Sequence, residues 1–138
     1  MRISDITINN FRIYRGENHI NFDNKKDKNI HLIAGKNGFG KTTFLTSLIW
    51  VLYGKQMAQV EDKYKGDIRH LGGYDNYLKA LLNKDLKREF DHKETEKAIC
   101  YVELRMKDIM IPSIPCKELI IRRTYNYLNK KESLRILI

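Results

Sequence analysis

The feature that constrains this chain most is a glycine-rich stretch, Gly35–Thr43, which reads GKNGFGKTT. It satisfies the pattern G-x-x-x-x-G-K-[ST]. The residues before it, Ile30–Ala34, are mostly apolar, as in a buried strand, and helical periodicity begins at Thr42. A strand, a loop of this composition and a helix in that order predict a phosphate-binding loop, or P-loop.

Each residue type in the stretch suits contact with phosphate. Its glycines allow positive φ and bring backbone N–H groups close to phosphate oxygens. Lys41 would set its ammonium group against the β- and γ-phosphates, beside the positive end of the following helix. Thr42 would offer a hydroxyl to Mg²⁺, and Thr43 one to the α-phosphate. We therefore predict ATP and Mg²⁺ as cofactors, Lys41 as the catalytic residue, Thr42 as the metal ligand, and a nucleotide-binding set of Asn37, Gly38, Phe39, Gly40, Lys41, Thr42 and Thr43.

The alternative interpretation of the same stretch is a glycine-rich turn that caps a core helix. Average glycine usage is about 7%, so two glycines at this spacing followed by Lys-Thr are rare by chance in so short a chain. The flanking strand and helix patterns favour the P-loop.

Alternating apolar residues predict strands on both sides of the P-loop. The strands and their connections are expected at residues 2–8 and 18–22, joined through 11–14, then at 30–34, 98–106, 118–125 and 133–138, with a charged loop at 23–29 and a turn at Lys107–Asp108.

Two segments have helical periodicity. The first starts at Thr42 and ends near Gly54, a candidate C-cap, and its predicted buried face is Phe44, Leu45, Leu48, Ile49 and Leu52. The second lies in a charged insertion, where Asp75 or Asn76 would cap a helix with a buried face of Leu78, Leu81, Leu82, Leu86 and Phe90. The predicted fold is one α/β lobe of the P-loop NTPase class, with a mixed sheet containing antiparallel strands. Its parts are a hairpin, P-loop strand and helix (1–60), a helical insertion (61–97) and antiparallel strands (98–138).

Charge and composition narrow the function classes. The chain has 138 residues and a formal net charge of +9, which favours a polyanionic partner such as nucleic acid or nucleotide. No apolar run reaches the roughly 18 residues of a membrane helix, and the start has no hydrophobic signal core. Cys100 and Cys116 have no CxxC partner, and the histidines show no metal-ligand spacing. We expect a reduced, cytoplasmic protein that does not contact a membrane.

The hydrolytic half of an ATPase site is not visible in the sequence. A second strand that ends in Asp or Asp-Glu normally helps to hold Mg²⁺, and a further group orients the attacking water. No strand predicted after Gly54 ends in that way. We therefore expect the 138-residue chain alone to lack ATPase turnover.

The residues also resemble a known family. The opening INNFRIY, at residues 8–14, followed by the P-loop about 25 residues later, resembles the N-terminal lobe of SMC-type ABC ATPases. More narrowly, residues 45–55 (LTSLIWVLYGK) and 72–78 (GGYDNYL) resemble the DndD family, the SMC-like ATPases of bacterial DNA phosphorothioation, a sulfur modification of DNA.

This resemblance implies partners that the sequence pattern alone does not. It implies a C-terminal lobe of the same ATPase head that carries the signature motif, the acidic strand and the switch histidine. It also implies an ATP-dependent homodimer of heads, DNA, and the other subunits of the modification complex. Arg12, the arginine of the opening motif, would lie near the nucleotide. The apolar residues Leu134–Ile138 and the missing Q-loop glutamine suggest a fragment of a longer protein.

Other functions remain open from the sequence. An SMC-like DNA-repair ATPase lobe shares the same features. An ABC transporter subunit would use an aromatic residue of the first hairpin, such as Tyr14, against adenine. A small-molecule kinase would need a lid and a second acidic site, and a lobe that senses nucleotide without catalysis would need neither.

Several other residues have a structural interpretation that competes with a functional one. A solvated loop is the preferred interpretation of Lys25, Lys26 and Lys28, and contact with a DNA backbone is the alternative. Arg15 is expected at the surface. Arg122 and Arg123 would point to opposite faces of one strand, one toward an acid and the other toward DNA. Packing is the preferred role of Trp50, Tyr53, Tyr125 and Tyr127.

Overall fold

A computed structural model of the chain describes residues 2–22, 39–91, 98–111 and 114–138. The predicted strand at 30–34, the first four residues of the predicted P-loop and the lysines of the charged loop lie outside these ranges. The strands are β1 (Arg2–Phe11), β2 (Tyr14–Asn21), β3 (Ile99–Ile111), β4 (Ile114–Asn126) and β5 (Lys131–Leu137). The α-helices are α1 (Phe39–Tyr53), α2 (Asp62–His70), α3 (Tyr74–Leu81) and α4 (Lys84–Asp91), and a 3-10 helix occupies Gly54–Gln59.

The described strands form one antiparallel sheet in the order β2-β1-β3-β4-β5. The predicted hairpin at the start of the chain is confirmed, with Phe11 paired to Tyr14 across a two-residue turn. Antiparallel pairing of β3, β4 and β5 agrees with the predicted strands of the last third of the chain. The parallel pairing that a mixed sheet would contain depends on residues 30–34, outside the described ranges.

The core lies between this sheet and the helices. Alternate residues of β3, and the residue before the strand, face the core and are all buried, as the alternation predicted: Ala98, Cys100, Val102, Leu104 and Met106. Ile6 and Ile8 of β1 join them, together with Trp50 of α1 and Leu81 of α3. Burial of this apolar surface is the main stabilising contribution to the fold.

The turn predicted at Lys107–Asp108 is wrong. β3 continues to Ile111, with Lys107 opposite Glu118 and Ile109 opposite Cys116 on β4. Asp108 takes a φ of 58°, which aspartate tolerates better than most residues. The polar pair therefore marks an irregularity within a strand rather than its end.

The predicted buried face of α1 is wrong in part. Phe44 is buried, but Leu45 and Leu52 are exposed, and Leu48 and Ile49 are only half-buried. The buried face carries Thr43, Phe44, Thr46, Ser47, Trp50 and Val51. This helix is apolar on most sides, so hydrophobicity alone does not select a face. Burial of Ser47 is tolerated because its hydroxyl donates to the Phe44 carbonyl at 2.6 Å.

The described part of the insertion contains three helices, and the single helix predicted from Leu78 to Phe90 is two of them, α3 and α4. Leu78, Leu81, Leu82 and Leu86 are buried as predicted, while the side chain of Phe90 is outside the described set. The helix is interrupted at Leu82, whose backbone forms an isolated β-bridge with Phe11 of β1. Asn83 caps α4, because its Oδ1 accepts from the backbone N–H groups of Asp85 and Leu86. Asp75 and Asn76 therefore do not cap the helix, since each lies inside the first turn of α3.

Candidate nucleotide cleft

A cleft of about 630 Å³ lies where the β1–β2 turn, the start of α1 and the α3–α4 junction meet. A volume of this size suits a small ligand. Three sequence-predicted residues meet in this cleft: Arg12, Thr42 and Thr43. The other described lining residues are Ile13, Ala80, Asn83, Lys84 and Asp85.

The P-loop residues are described only from Phe39 onward. Phe39, Gly40 and Lys41 form the beginning of α1, but the side chains of Phe39 and Lys41 are outside the described set. Asn37 and Gly38 lie outside the described ranges altogether. Thr42 is half-buried at the cleft and Thr43 is buried. The cleft thus contains hydroxyl groups from the first turn of α1, where backbone N–H groups lack partners within the helix.

Arg12 reaches the cleft from a strained turn. Its φ is 50°, as is that of Asn10, so two non-glycine residues here occupy the left-handed region. The backbone of the turn is bound to the α3–α4 junction: Arg12 N–H donates to the Leu81 carbonyl at 2.7 Å, and Asn83 N–H donates to the Asn10 carbonyl at 2.8 Å. Asn83 Nδ2 also donates to the Arg12 carbonyl at 2.7 Å.

The Arg12 guanidinium is held by Tyr77 of α3. Its Nη2 donates to the Tyr77 hydroxyl at 3.2 Å, and its Cζ lies 5.9 Å from the centre of the ring. Burial raises the pKa of Tyr77 to about 12, although the positive charge of Arg12 opposes this shift. The phenol is therefore neutral at physiological pH, and the charge of Arg12 is not neutralised by its partner.

Comparison with known proteins identifies the family of the chain. A profile of the AAA domain family matches residues 5–136, which is nearly the whole chain. The chain belongs to the AAA domain family. This family of ATPases accords with an α/β P-loop lobe and with ATP as its ligand.

This AAA domain is also similar to a DNA-metabolism protein. It is 29% identical over 97 residues to the "DNA replication and repair protein RecF" of Clostridioides difficile (strain 630). The match covers 63% of this chain and 25% of that protein, so the chain spans about a quarter of the length of this curated relative.

The residues present in the AAA domain fit a magnesium nucleotide. The start of α1 favours negative charge, Arg12 adds a cation, and Thr42 offers a hydroxyl oxygen. Mg²⁺ is usually held by one or two protein oxygens together with phosphates and water. It therefore needs no dense ligand cluster, and within the described ranges no group of three or more His, Cys, Asp or Glu side chains could hold a metal.

No described helix is long and apolar enough to cross a membrane.

Other sequence-predicted residues lie away from the cleft. Arg15 is exposed, as predicted, and forms two hydrogen bonds of 2.6 and 2.7 Å with Glu89. Arg122 and Arg123 do point to opposite faces of β4. Arg122 contacts Glu103 at 3.1 Å, and Arg123 is mostly buried beside Glu132.

Some of the aromatic residues with a predicted packing role are buried and others are not. Trp50 and Tyr125 are buried in the core, as predicted. Tyr53 is exposed, so its predicted packing role is not seen within this chain. Tyr14 is half-buried on β2 and does not line the cleft.

Sequence reasoning missed Tyr77 and Asn83. Tyr77 lies in the segment 72–78, but no pattern in the sequence assigns it a role, and only its contact with Arg12 identifies it. Asn83 had a usable signal, since it stands directly before Lys84-Asp85-Leu86 and asparagine is a favoured N-cap. The continuous leucine periodicity from Leu78 to Leu86 concealed the break.

Proposed function

We propose that this AAA domain is the nucleotide-binding lobe of an SMC-like ATPase that acts on DNA. The observation that carries the proposal is the cleft that brings Arg12 together with Thr42 and Thr43 of the first turn of α1. The start of α1 contributes two hydroxyls and the positive end of a helix, and the opposite side contributes Arg12 and Lys84 beside one carboxylate, that of Asp85. The lining therefore has an excess of positive charge, which suits a polyphosphate. ATP would occupy the cleft, with Lys41 on its terminal phosphates and Thr42 on Mg²⁺.

The rest of the ATPase would come from other parts of the intact protein. The chain covers a quarter of the RecF relative's length, and none of the strands that the structure describes after α1 ends in the acidic pair that hydrolysis needs. We propose that a C-terminal lobe of the same head supplies these groups and that two heads engage around ATP. The net charge of +9 and the relative's printed role in DNA replication and repair support DNA as the partner.

Two DNA functions are candidates. The resemblance of residues 45–55 and 72–78 to the DndD family supports the ATPase of DNA phosphorothioation, acting with the other subunits of that complex. The similarity to RecF supports a DNA-repair ATPase instead. We place phosphorothioation first because two separate segments, one in α1 and one at the start of α3, support that resemblance.

The first experiment is a calorimetric titration of Mg²⁺-ATP into the 138-residue chain. We expect saturable binding that Lys41→Ala weakens at least about 100-fold, because a charged partner of the phosphates is lost. Lys55→Ala is the control, since Lys55 is exposed on the 3-10 helix and does not line the cleft. ATP affinity unchanged by Lys41→Ala, in a chain that melts like wild type, would refute the P-loop.

A second experiment tests the divided site. The chain alone should show negligible ATP turnover, and addition of the matching C-terminal lobe should restore it. Rapid turnover by the chain alone would contradict the proposed division.

A cellular experiment separates the two DNA functions. Mass spectrometry of digested genomic DNA, from cells that carry wild type or Lys41→Ala, measures phosphorothioate linkages. Their loss in the variant supports the modification ATPase. Unchanged linkages with increased sensitivity to DNA damage support the repair ATPase.

A further inference from the structure

Arg12 and Arg15 lie three residues apart and differ in what binds their side chains. The Arg15 guanidinium is bound to the carboxylate of Glu89 through two short hydrogen bonds. Among the described residues no carboxylate forms an ion pair with Arg12, whose guanidinium donates instead to the hydroxyl of Tyr77. Arg15 has a partner that neutralises its charge, whereas Arg12 has one that leaves its charge available to an anion.

Tyr77 suits the holding of a cation because it is rigid and uncharged. It is only 1% exposed, on the buried face of α3, so its ring has little freedom to move. Its hydroxyl accepts from Arg12 Nη2 while the ring lies beneath the guanidinium, 5.9 Å from Cζ. The contact restricts the guanidinium without placing a negative charge beside it.

Asn83 fixes the backbone that carries Arg12. Its amide nitrogen donates to the Arg12 carbonyl, and its amide oxygen caps α4. Asn83 is only 4% exposed, and the oxygen and the nitrogen of its side-chain amide both form hydrogen bonds within the protein. One buried side chain therefore joins the cleft turn to α4 and stabilises the left-handed φ of Arg12.

We propose that Tyr77 and Asn83 are positioning residues that hold Arg12 at the cleft as a binding group for the nucleotide phosphates. The inference rests on the proposed function and adds the α3–α4 segment to the site. Tyr77 sets the side chain of Arg12, and Asn83 sets its backbone. The expected consequence is tighter binding, because the guanidinium is ordered before the nucleotide arrives.

The test of Tyr77 is a double-mutant cycle measured as ATP affinity by calorimetry. Tyr77→Phe removes the hydroxyl and retains the ring, and we expect ATP binding to weaken about three- to tenfold. In an Arg12→Ala background the same change should have no effect. An undiminished effect of Tyr77→Phe in that background would show a structural role and overturn the inference, as would wild-type affinity in Tyr77→Phe.

Tyr74→Phe is the matched control on the same helix. The hydroxyl of Tyr74 contacts Trp50 and Glu132 and not Arg12. We expect this variant to keep wild-type ATP affinity with a lower melting temperature. An equal loss of ATP affinity in both phenylalanine variants would mean that general loosening of α3, rather than Arg12, is responsible.

The test of Asn83 uses Asn83→Ser, which retains an oxygen to cap α4, adds no charge to the cleft and loses the amide donor to the Arg12 carbonyl. We expect cooperative melting with ATP affinity reduced at least threefold. Wild-type ATP affinity in this folded variant would remove Asn83 from the proposal. If Lys41→Ala also leaves affinity unchanged, the proposed function fails; if only the Tyr77 and Asn83 variants are neutral, the positioning inference alone fails.

Discussion

The helices contact Arg123 and Arg12 in different ways, and the difference distinguishes a structural arginine from one that can bind a ligand. Arg123 of β4 is 11% exposed, its Nε donates to the Val51 carbonyl at the end of α1, and its Nη1 lies 3.5 Å from Glu132 Oε1. Arg12 is half-buried at the cleft and has only the neutral Tyr77 as a side-chain partner among the described residues. Removing one partner of a buried ion pair destabilises a fold, whereas a charge with no ionic partner beside a helix start is available to a ligand.

The surroundings of Arg123 form a closed network. Trp50 Nε1 donates to the Tyr74 hydroxyl at 3.1 Å, and that hydroxyl donates to Glu132. Glu132 in turn accepts from Arg123. The network therefore joins α1, α3, β4 and β5 at the end of α1 opposite the cleft.

Removal of Glu132 should have the largest effect on stability. Glu132→Ala leaves Arg123 and Tyr74 without their acceptor in a mostly buried site, which costs about 3 kcal/mol of unfolding free energy. Urea denaturation measures the loss. Glu89→Ala is the control, because it breaks the exposed pair with Arg15 and should cost no more than about 1 kcal/mol. Equal losses would erase the distinction between buried and exposed pairs.

Alkaline pH should destabilise the fold, by about 2–3 kcal/mol through Tyr77. Burial raises the pKa of Tyr74 and of Tyr77, the latter to about 12, above the ordinary value near 10. Because the folded pKa of Tyr77 is raised, its contribution to stability is complete below about pH 10 and is lost as the pH rises to about 12. Denaturation curves at intervals of pH check this loss.

The two tyrosines should contribute unequally to this alkaline loss. The hydrogen bond to Glu132 reinforces the effect of burial on the pKa of Tyr74, whereas the charge of Arg12 opposes it at Tyr77. Tyr74→Phe should therefore flatten the dependence of stability on pH more than Tyr77→Phe. The reverse order would show that Arg12 does not act on Tyr77.

Gly54→Ala should cost about 2 kcal/mol. Gly54 has a φ of 54°, and an added Cβ would lie 2.5 Å from Nη1 of Arg123, which Val51 and Glu132 hold in place. Gly66→Ala is the control within α2, where a Cβ meets no atom within 4 Å. That variant should gain about 0.5–1 kcal/mol in denaturation experiments, because alanine favours a helix interior.

Removal of each arginine in turn gives the sharpest comparison, and its smallest effect is the loss of ATP affinity in Arg12→Ala. Arg12→Ala should weaken ATP binding about tenfold, near 1.4 kcal/mol, with little change in melting temperature. Arg123→Ala should lower the melting temperature and leave the ATP affinity of the folded chain nearly unchanged. Calorimetry and thermal melts measure both, and matching profiles for the two variants would contradict the contrast.

Local pattern was sufficient for most strands and failed where two faces looked alike. Strict alternation placed Cys100, Val102 and Leu104 in the core because a strand has only two faces, and one of them was polar. The face of α1 was not predictable in that way. Leu45 is 55% exposed while Ser47 is buried, because packing on the sheet decided which side of a mostly apolar helix is covered.

The candidate site also has one part that the sequence predicts and another that only the tertiary structure determines. The stretch Gly35–Thr43 predicts phosphate binding by itself, since its chemistry is local: backbone N–H groups, a lysine and a hydroxyl that are adjacent in the chain. The meeting of Arg12 with Thr42, and of Tyr77 and Asn83 with Arg12, is a property of the tertiary structure alone. These residues lie tens of positions apart, and their contacts exist because the hairpin turn and the α3–α4 junction pack together, which no local periodicity encodes.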